Sequence, residues 1–421
     1  MQICICRVRV KEWIKISDLL FFQEGPGVRN TQYTQSGVKL LNVANLVNGK
    51  VDLSTSDRYI SEDEAYGRYK HFLCDDGDFI IASSGIKVEY FDRKMGFVDS
   101  SMLPLCMNTS TIRFKVIDSK RLNIKYFMYY LKSIHFKQQL SKFITGSAQL
   151  NFGPSHLKKM NMPLVSLKEQ NDIVEKLSKV ELLLDKYNGE IKLLDELIKA
   201  RFVEMFGLVR NNVYGYKIKM LQDVCEPIKD GTHQTPTYVN DAQHGFKFLS
   251  SKDVTSGKIN WSKIKYIPSD LHEELYAKIK PKRGDILLAK NGTTGVAAVV
   301  ETDEIFDIYV SLALLRPIDM NSIYLWAAVN SADTKHQFDS SLKGIGVPNL
   351  HLGDIKKTKI IVPPLELQSQ FADFVIQVDK SKLLSGCRLF HSWAPENRDQ
   401  PKHVGVPQRK TKVLRGGRRQ Q

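Results

Sequence analysis

Three stretches of this chain carry side chains suited to hydrogen bonding with a base edge or a phosphate. The first is Lys229-Asp230-Gly231-Thr232-His233-Gln234-Thr235, where hydroxyl, imidazole and amide groups follow a turn. Residues 25–33, with Arg29 among them, hold the corresponding place earlier in the chain. Side chains of these types present the paired donors and acceptors that read base edges in a groove. A polar turn capped by Asp230 is the competing reading. The second stretch is Lys290-Asn291-Gly292-Thr293-Thr294, with Ser83-Ser84-Gly85-Ile86-Lys87 as its mate. Small residues there let backbone N–H groups approach a phosphate, and Lys290 or Lys87 adds charge. Asn-Gly also suits a tight hairpin. The third is Gly146-Ser147-Ala148-Gln149-Leu150-Asn151, matched by Gly344-Ile345-Gly346-Val347-Pro348-Asn349. Gln149 suits a bidentate contact to adenine, which Val347 at the equivalent place does not. Asn151 and Asn349 read as braces of the fold. The candidate contacts to a base edge or a phosphate are Arg29, Ser84, Lys87, Gln149, Thr232, His233, Gln234, Lys290, Asn291 and Thr293. The pairs Lys158-Lys159 and Lys356-Lys357 serve equally as phosphate contacts or as a solvated face.

Motifs for bond-making chemistry are missing. Pro363-Pro364 lies in VPPLEL, without the Asn or Asp before it or the aromatic after it that a base-methylation motif uses. Gly257-Lys258 is followed by Ile259, so there is no phosphate loop of the G-x-x-x-x-G-K-[ST] type. The ten His are not at metal-ligand spacing, and the six Cys are scattered, which suggests neither a zinc site nor a disulfide framework. No catalytic or metal-ligating residue is assigned.

The chain has 61 Lys+Arg against 46 Asp+Glu, a net charge of +15. Residues 387–421 hold nine Lys/Arg and two Asp/Glu, so nearly half of the surplus sits in that segment. What remains is compatible with DNA binding and equally with a solvated basic surface. No run of 18 apolar residues exists to span a membrane, and a cytoplasmic protein is the default.

The elements that must position these loops occur twice. Leu40-Leu41-Asn42-Val43 through Asn48-Gly49-Lys50-Val51 resembles Phe248-Leu249-Ser250-Ser251 through Ser256-Gly257-Lys258-Ile259. Gly77-Asp78-Phe79-Ile80-Ile81-Ala82 returns as Gly284-Asp285-Ile286-Leu287-Leu288-Ala289, and Tyr59-Ile60 as Tyr266-Ile267. Further along, Asn151, Leu157-Lys158-Lys159 and Gln170 match Asn349, Ile355-Lys356-Lys357 and Gln368. An ordered series of this length means duplication. Each half reads as strands followed by helix.

Between the halves lies a heptad seam: Ile173, Leu177, Val180, Leu184, Tyr187, Ile191, Leu194 and Ile198 alternate spacings of four and three. The surrounding 40-residue helix spans roughly 60 Å and needs a partner along its stripe. The matching stretch begins well, with Phe371, Val375 and Val378, and then reaches Lys382, Ser385, Ser392 and Glu396. The second helix is therefore expected to stop near residue 385, leaving the seam from Leu184 to Ile198 partly uncovered. Residues 386–421 read as a disordered basic tail.

With these features together, the chain resembles the DNA-specificity subunit of type I restriction–modification systems over residues 11–385. The text that carries the resemblance is IKDGTHQTPTY (228–238), FLSSKDVTSGKI (248–259), KRGDILLAKNGTTG (282–295) and GVPNLHLGDIKKTKIIVPPLELQ (346–368). GSAQLNFGPSHLKKMNMPLVSLKEQ (146–170) is the first-half equivalent of the last. The resemblance implies an α+β chain with two target-recognition domains, 1–166 and 212–364. Spacer helices follow at 167–211 and 365–385, pairing antiparallel. It implies a non-catalytic subunit that reads a bipartite, asymmetric target in double-stranded DNA. Methyltransferase (modification) subunits and restriction/translocase subunits would dock on it. S-adenosylmethionine, ATP and Mg2+ would belong to those partners and no cofactor to this chain. Two other classes stay open: a stand-alone DNA methyltransferase or nuclease, and a decayed subunit that acts only as a scaffold.

Overall fold

The computed structural model describes residues 12–142, 150–240, 245–254, 257–342 and 348–393. The chain divides into two compact units, residues 1–183 and 184–421.

Each unit contains the same pair of sheets. In the first, a four-stranded antiparallel sheet runs in the order Leu20–Glu24, Thr111–Val116, Phe79–Ala82, Met95–Phe97. A three-stranded sheet runs Leu105–Met107, Val38–Leu41, Tyr59–Ile60, with its first pair parallel. The second unit repeats both: Lys229–Asp230, Leu312–Leu315, Ile286–Ala289, Ala297–Val299, and then Lys265–Ile267, Phe246–Leu249, Phe306–Ile308. Even the register is kept, since Phe114 faces Phe79 where Leu315 faces Ile286. The strands Phe79–Ala82 and Ile286–Ala289 are buried at every position, which is why both read as continuous apolar runs. Gly77 and Gly284 precede them at φ +81° and +89°, a conformation that only glycine adopts without strain.

Two further glycines are fixed by lack of space. A Cβ on Gly25 would lie 2.1 Å from the Asn108 carbonyl oxygen, and one on Gly231 would lie 1.9 Å from that of Ile308. Both glycines end the first strand of the antiparallel sheet and press against the parallel strand of the other sheet. Both open a candidate recognition loop.

The repeated glutamines also have a physical reason. Gln170 and Gln368 are buried near the starts of the two long helices, α1 (Leu167–Phe206) and α2 (Leu365–Trp393). The Gln170 side-chain oxygen accepts from the backbone N–H of Asn123 at 2.9 Å, and its amide donates to the Val165 carbonyl at 2.9 Å. Gln368 does the same with Asn321 at 3.0 Å and Pro363 at 2.8 Å. Asn123 and Asn321 in turn cap the helices Ile124–Leu131 and Ser322–Val329 through their side-chain oxygens. Each glutamine thus ties a long helix to the helix beside it.

The two ends of the α1 seam each pack on a core. Ile173 and Leu177 pack on the core of the first unit, and Leu194 and Ile198 belong to that of the second. Val180, Leu184, Tyr187 and Ile191 are half-buried. Phe371, Val375 and Val378 are buried in the second core.

Two expectations are corrected here. The second helix does not stop at residue 385 but continues to Trp393. Residues 386–393 are thus helical although the heptad positions Ser385 and Ser392 are polar. Nor does Lys382 leave the seam bare. The helices run antiparallel within the second unit, so positions matched by the repeat are not the positions that touch. Phe371 meets Phe202 and Phe206 at ring distances of 5.5 and 5.6 Å. Tyr187 donates its hydroxyl to the Lys382 carbonyl at 3.3 Å, and the Lys382 ammonium lies 2.7 Å from Asp195 and 2.8 Å from Asp379. Of the tail expected at 386–421, residues 386–393 are therefore helix, and residues 394–421 lie outside the described residues.

Replacing Gln368 with Leu strands a buried N–H and a buried carbonyl, each at a cost of about 1–3 kcal/mol. Urea denaturation of the full chain should show that loss for Gln368→Leu. The exposed change Gln234→Leu should leave the transition in place.

Candidate nucleic-acid interface

The loops proposed from sequence meet at the junction of the two sheets in each unit. In the second unit the Thr232 N–H donates to the Ile308 carbonyl at 3.2 Å, and the Val310 N–H returns to the Thr232 carbonyl at 3.0 Å. The Lys290 N–H donates to Ser311, while the Leu350 N–H donates to Lys290, both at 2.8 Å. A bridge joins Asn291 to Asn349. The first two loops and residues 348–350 therefore form one surface. The matching contacts in the first unit are the Ser83 N–H to Ser110 and the Phe152 N–H to Ser83, at 2.8 and 3.0 Å.

Within that surface the candidates separate. His233, Gln234 and Thr293 are exposed, as are Arg29 and Lys87 in the first unit. Thr232 is half-buried, and its hydroxyl oxygen accepts from the Gln234 N–H at 3.2 Å, which shapes the turn. Asn291 is half-buried beside Asn349. Ser84 donates its hydroxyl to Ser110 at 2.7 Å, so it is engaged within the fold. Gln149 lies outside the described residues.

Lys290 is corrected. Its side chain is only 7% exposed, and its ammonium pairs with Asp230, which is 13% exposed. An ammonium held this way is not presented to a phosphate. It fastens the root of one loop to the root of the next. The first unit makes the same link without a cation, the Ser83 hydroxyl donating to Glu24 at 3.1 Å. Asp230 is thus neither a simple turn cap nor a base reader, and it also lies 3.5 Å from the His233 ring nitrogen.

Beneath 232–234 lies a cavity of about 510 Å³, lined in part by Thr232, His233, Gln234, Lys278 and Asp307. Asp307 and His272 form a buried pair at 2.6 Å, with Phe246 stacked on the imidazole at 3.6 Å between ring centres. Burial pushes the Asp307 carboxyl above its ordinary range, with the His272 hydrogen bond acting against that shift. Its second oxygen has no hydrogen-bond partner. The strand register places Cys106 at the position of Asp307, and the repeat places Ala65 and Val38 at those of His272 and Phe246. One copy of the fold fills this place with apolar side chains and the other with a hydrogen-bonded His–Asp pair. The fold itself therefore does not require the pair.

Sequence reasoning missed a second feature common to both units. The Arg58 guanidinium lies 5.2 Å from the centre of the Tyr33 ring, and the Lys265 ammonium lies 3.9 Å from that of Tyr238. The signal was present in Arg58-Tyr59-Ile60 and Lys265-Tyr266-Ile267, which share the offset of the repeat. Cys74, Cys106 and Cys225 are free and buried, and burial pushes each thiol up to about 12, which makes them poor nucleophiles. Among the described residues no group of three His, Cys, Asp or Glu is placed to hold a metal ion, and no helix is long and apolar enough to cross a membrane.

The chain is thus a duplicated α+β unit that carries divergent polar loops on a shared frame. The type I restriction modification DNA specificity domain matches this chain twice, over residues 11–194 and 215–386. The chain belongs to that family, the specificity subunits of type I restriction–modification systems, whose role is recognition of a DNA sequence. It is 23% identical over 331 residues to the type I restriction enzyme MjaVIII specificity subunit of Methanocaldococcus jannaschii, covering 74% of each chain. A putative MjaX specificity subunit from the same organism is 27% identical over 172 residues, 39% of each chain. A crystal structure of the type I restriction–modification S subunit from M. genitalium aligns over 90% of this chain and 92% of that one, at 15% identity and a TM-score of 0.49. Membership rests on the two matched segments and not on that superposition.

Replacing Lys290 with Ala leaves Asp230 unpaired in a nearly dry place, at a cost of about 3–5 kcal/mol. Urea denaturation should show this loss, and Asp230→Asn combined with Lys290→Met should recover much of it. A Lys290→Ala chain of unchanged stability would place the ammonium outside this pair.

Proposed function

We propose that this chain reads a bipartite, asymmetric DNA target, one half-site per unit. The single observation that supports this most is the pairing of a shared frame with divergent loops. Gly25 and Gly231, Glu24 and Asp230, and Ser83 and Lys290 occupy equivalent places. The residues that follow, Pro26-Gly27-Val28-Arg29 and Thr232-His233-Gln234-Thr235, share no chemistry. Two frames of one shape with different readers suit two different half-sites. Arg29 in one unit and His233 and Gln234 in the other are the exposed groups able to reach base edges.

The chain acts without catalysis of its own on this reading. Methyltransferase subunits carrying S-adenosylmethionine, and restriction/translocase subunits using ATP and Mg2+, supply the chemistry. Apolar side chains left in solvent on the long helices support docking of such partners: Leu193 and Leu197 on α1, and Leu383 and Leu384 on α2.

Exchanging residues 212–364 for those of another specificity subunit should change one half-site and leave the other intact, read by sequencing the methylated sites in cells that carry the modification subunits. Half-sites should lie about one helical turn, roughly 10 base pairs, apart centre to centre. A simultaneous change in both half-sites would contradict independent reading.

A further inference from the structure

We infer that Arg58 and Lys265 are a matched pair of anchors for the DNA backbone, each binding a phosphate beside the recognition loop of its own unit. The inference rests on the proposed reading of DNA and adds to it which residues hold the part of the duplex common to every sequence.

The two sites are built alike. Each recognition loop ends in a tyrosine, Tyr33 or Tyr238, and rejoins the sheet at the next residue. The Thr34 N–H donates to the Tyr59 carbonyl at 2.9 Å, and the Val239 N–H donates to the Tyr266 carbonyl at 2.9 Å. That backbone bond sets the tyrosine beside the residue preceding Tyr59 or Tyr266, which is Arg58 in one unit and Lys265 in the other. The tyrosine face then holds the cation, an arrangement that restrains a long side chain while leaving its charge available. In the first unit Arg58 also donates to the Tyr33 hydroxyl at 3.3 Å.

Both cations are exposed, and neither has a carboxylate partner among the described residues. Their neighbours differ in this respect. Lys39 and Lys247, equivalent to one another on the adjacent strand, are each paired, with Asp57 and with Glu304. An unpaired cation held on a ring at the same place in two otherwise divergent surfaces suggests an anion found at both half-sites.

The exchange of Arg for Lys names that anion. Guanidinium and ammonium share a charge but not a donor geometry, a rigid planar fork against a compact point charge. A role common to the two positions is therefore a role of charge. In a duplex the charge present at every step is the phosphate. Residues that differ between the units read bases, and residues that agree hold the backbone.

The test measures binding of the full chain to a mixed-sequence duplex pool across a series of salt concentrations, and to a selected target. Arg58→Ala and Lys265→Ala should each lower the slope of log affinity against log salt by about 0.9, and the double variant by about twice that. Base preference at the target should not change. Arg58→Lys and Lys265→Arg should keep both slope and preference. If the wild-type chain binds and the alanine variants keep its slope, the cations are outside the interface and the inference fails. It also fails if either variant relaxes the preference at a single base position, which would make the residue a reader. A wild-type chain that binds no duplex at any salt, alone or with its modification subunits, would overturn the DNA reading, and the anchors with it.

Discussion

A close approach of backbone to backbone governs how each unit presents its loop. At Gly25 and at Gly231 the chain leaves the antiparallel sheet with no room for a side chain, pressed against the strand that joins the other sheet in parallel. The loop that follows must emerge at the junction of the two sheets. There it meets the turn after the buried strand Phe79–Ala82 or Ile286–Ala289. The Glu24–Ser83 hydrogen bond and the Asp230–Lys290 ion pair close that junction in two chemistries of the same shape. A residue larger than glycine would push the two sheets apart and remove the common platform.

The duplication separates what the frame needs from what each unit adds. Buried Gln170 and Gln368, capping Asn123 and Asn321, and the cation–tyrosine contacts recur with nearly the same partners. The His272–Asp307 pair under Phe246 does not recur, and its place in the first unit is apolar. A buried polar pair gains little over well-packed apolar side chains, so its presence in one unit alone is not explained by stability. It lies under the loop that carries His233 and Gln234, where a rigid polar floor shapes the mouth of the cavity.

Much of this was legible in the residues because repetition exposes it. The Gly-Asp strands, the glutamines and the pair Asn151 and Asn349 announced themselves by returning at a near-constant offset, and the heptad seam by its own period. Two things did not. Lys290 looks like a surface cation in sequence, since nothing local reveals that Asp230, sixty residues earlier, lies against it. The helical state of residues 386–393 was hidden because apolar periodicity reports a buried stripe and not helix itself, and a helix can continue without one. Antiparallel packing misled in the same way. A repeat shows which residues are equivalent, whereas contact between helices depends on their direction, and Phe371 meets Phe202, to which the repeat does not match it.

The most direct measurement is selection of bound duplexes from a random-sequence library by the full chain together with its modification subunits. Two specified blocks of different sequence, separated by a spacer of fixed length and free composition, are the expected result. A single continuous motif, or enrichment of no motif from a complex that still binds DNA, would contradict two units that read independently.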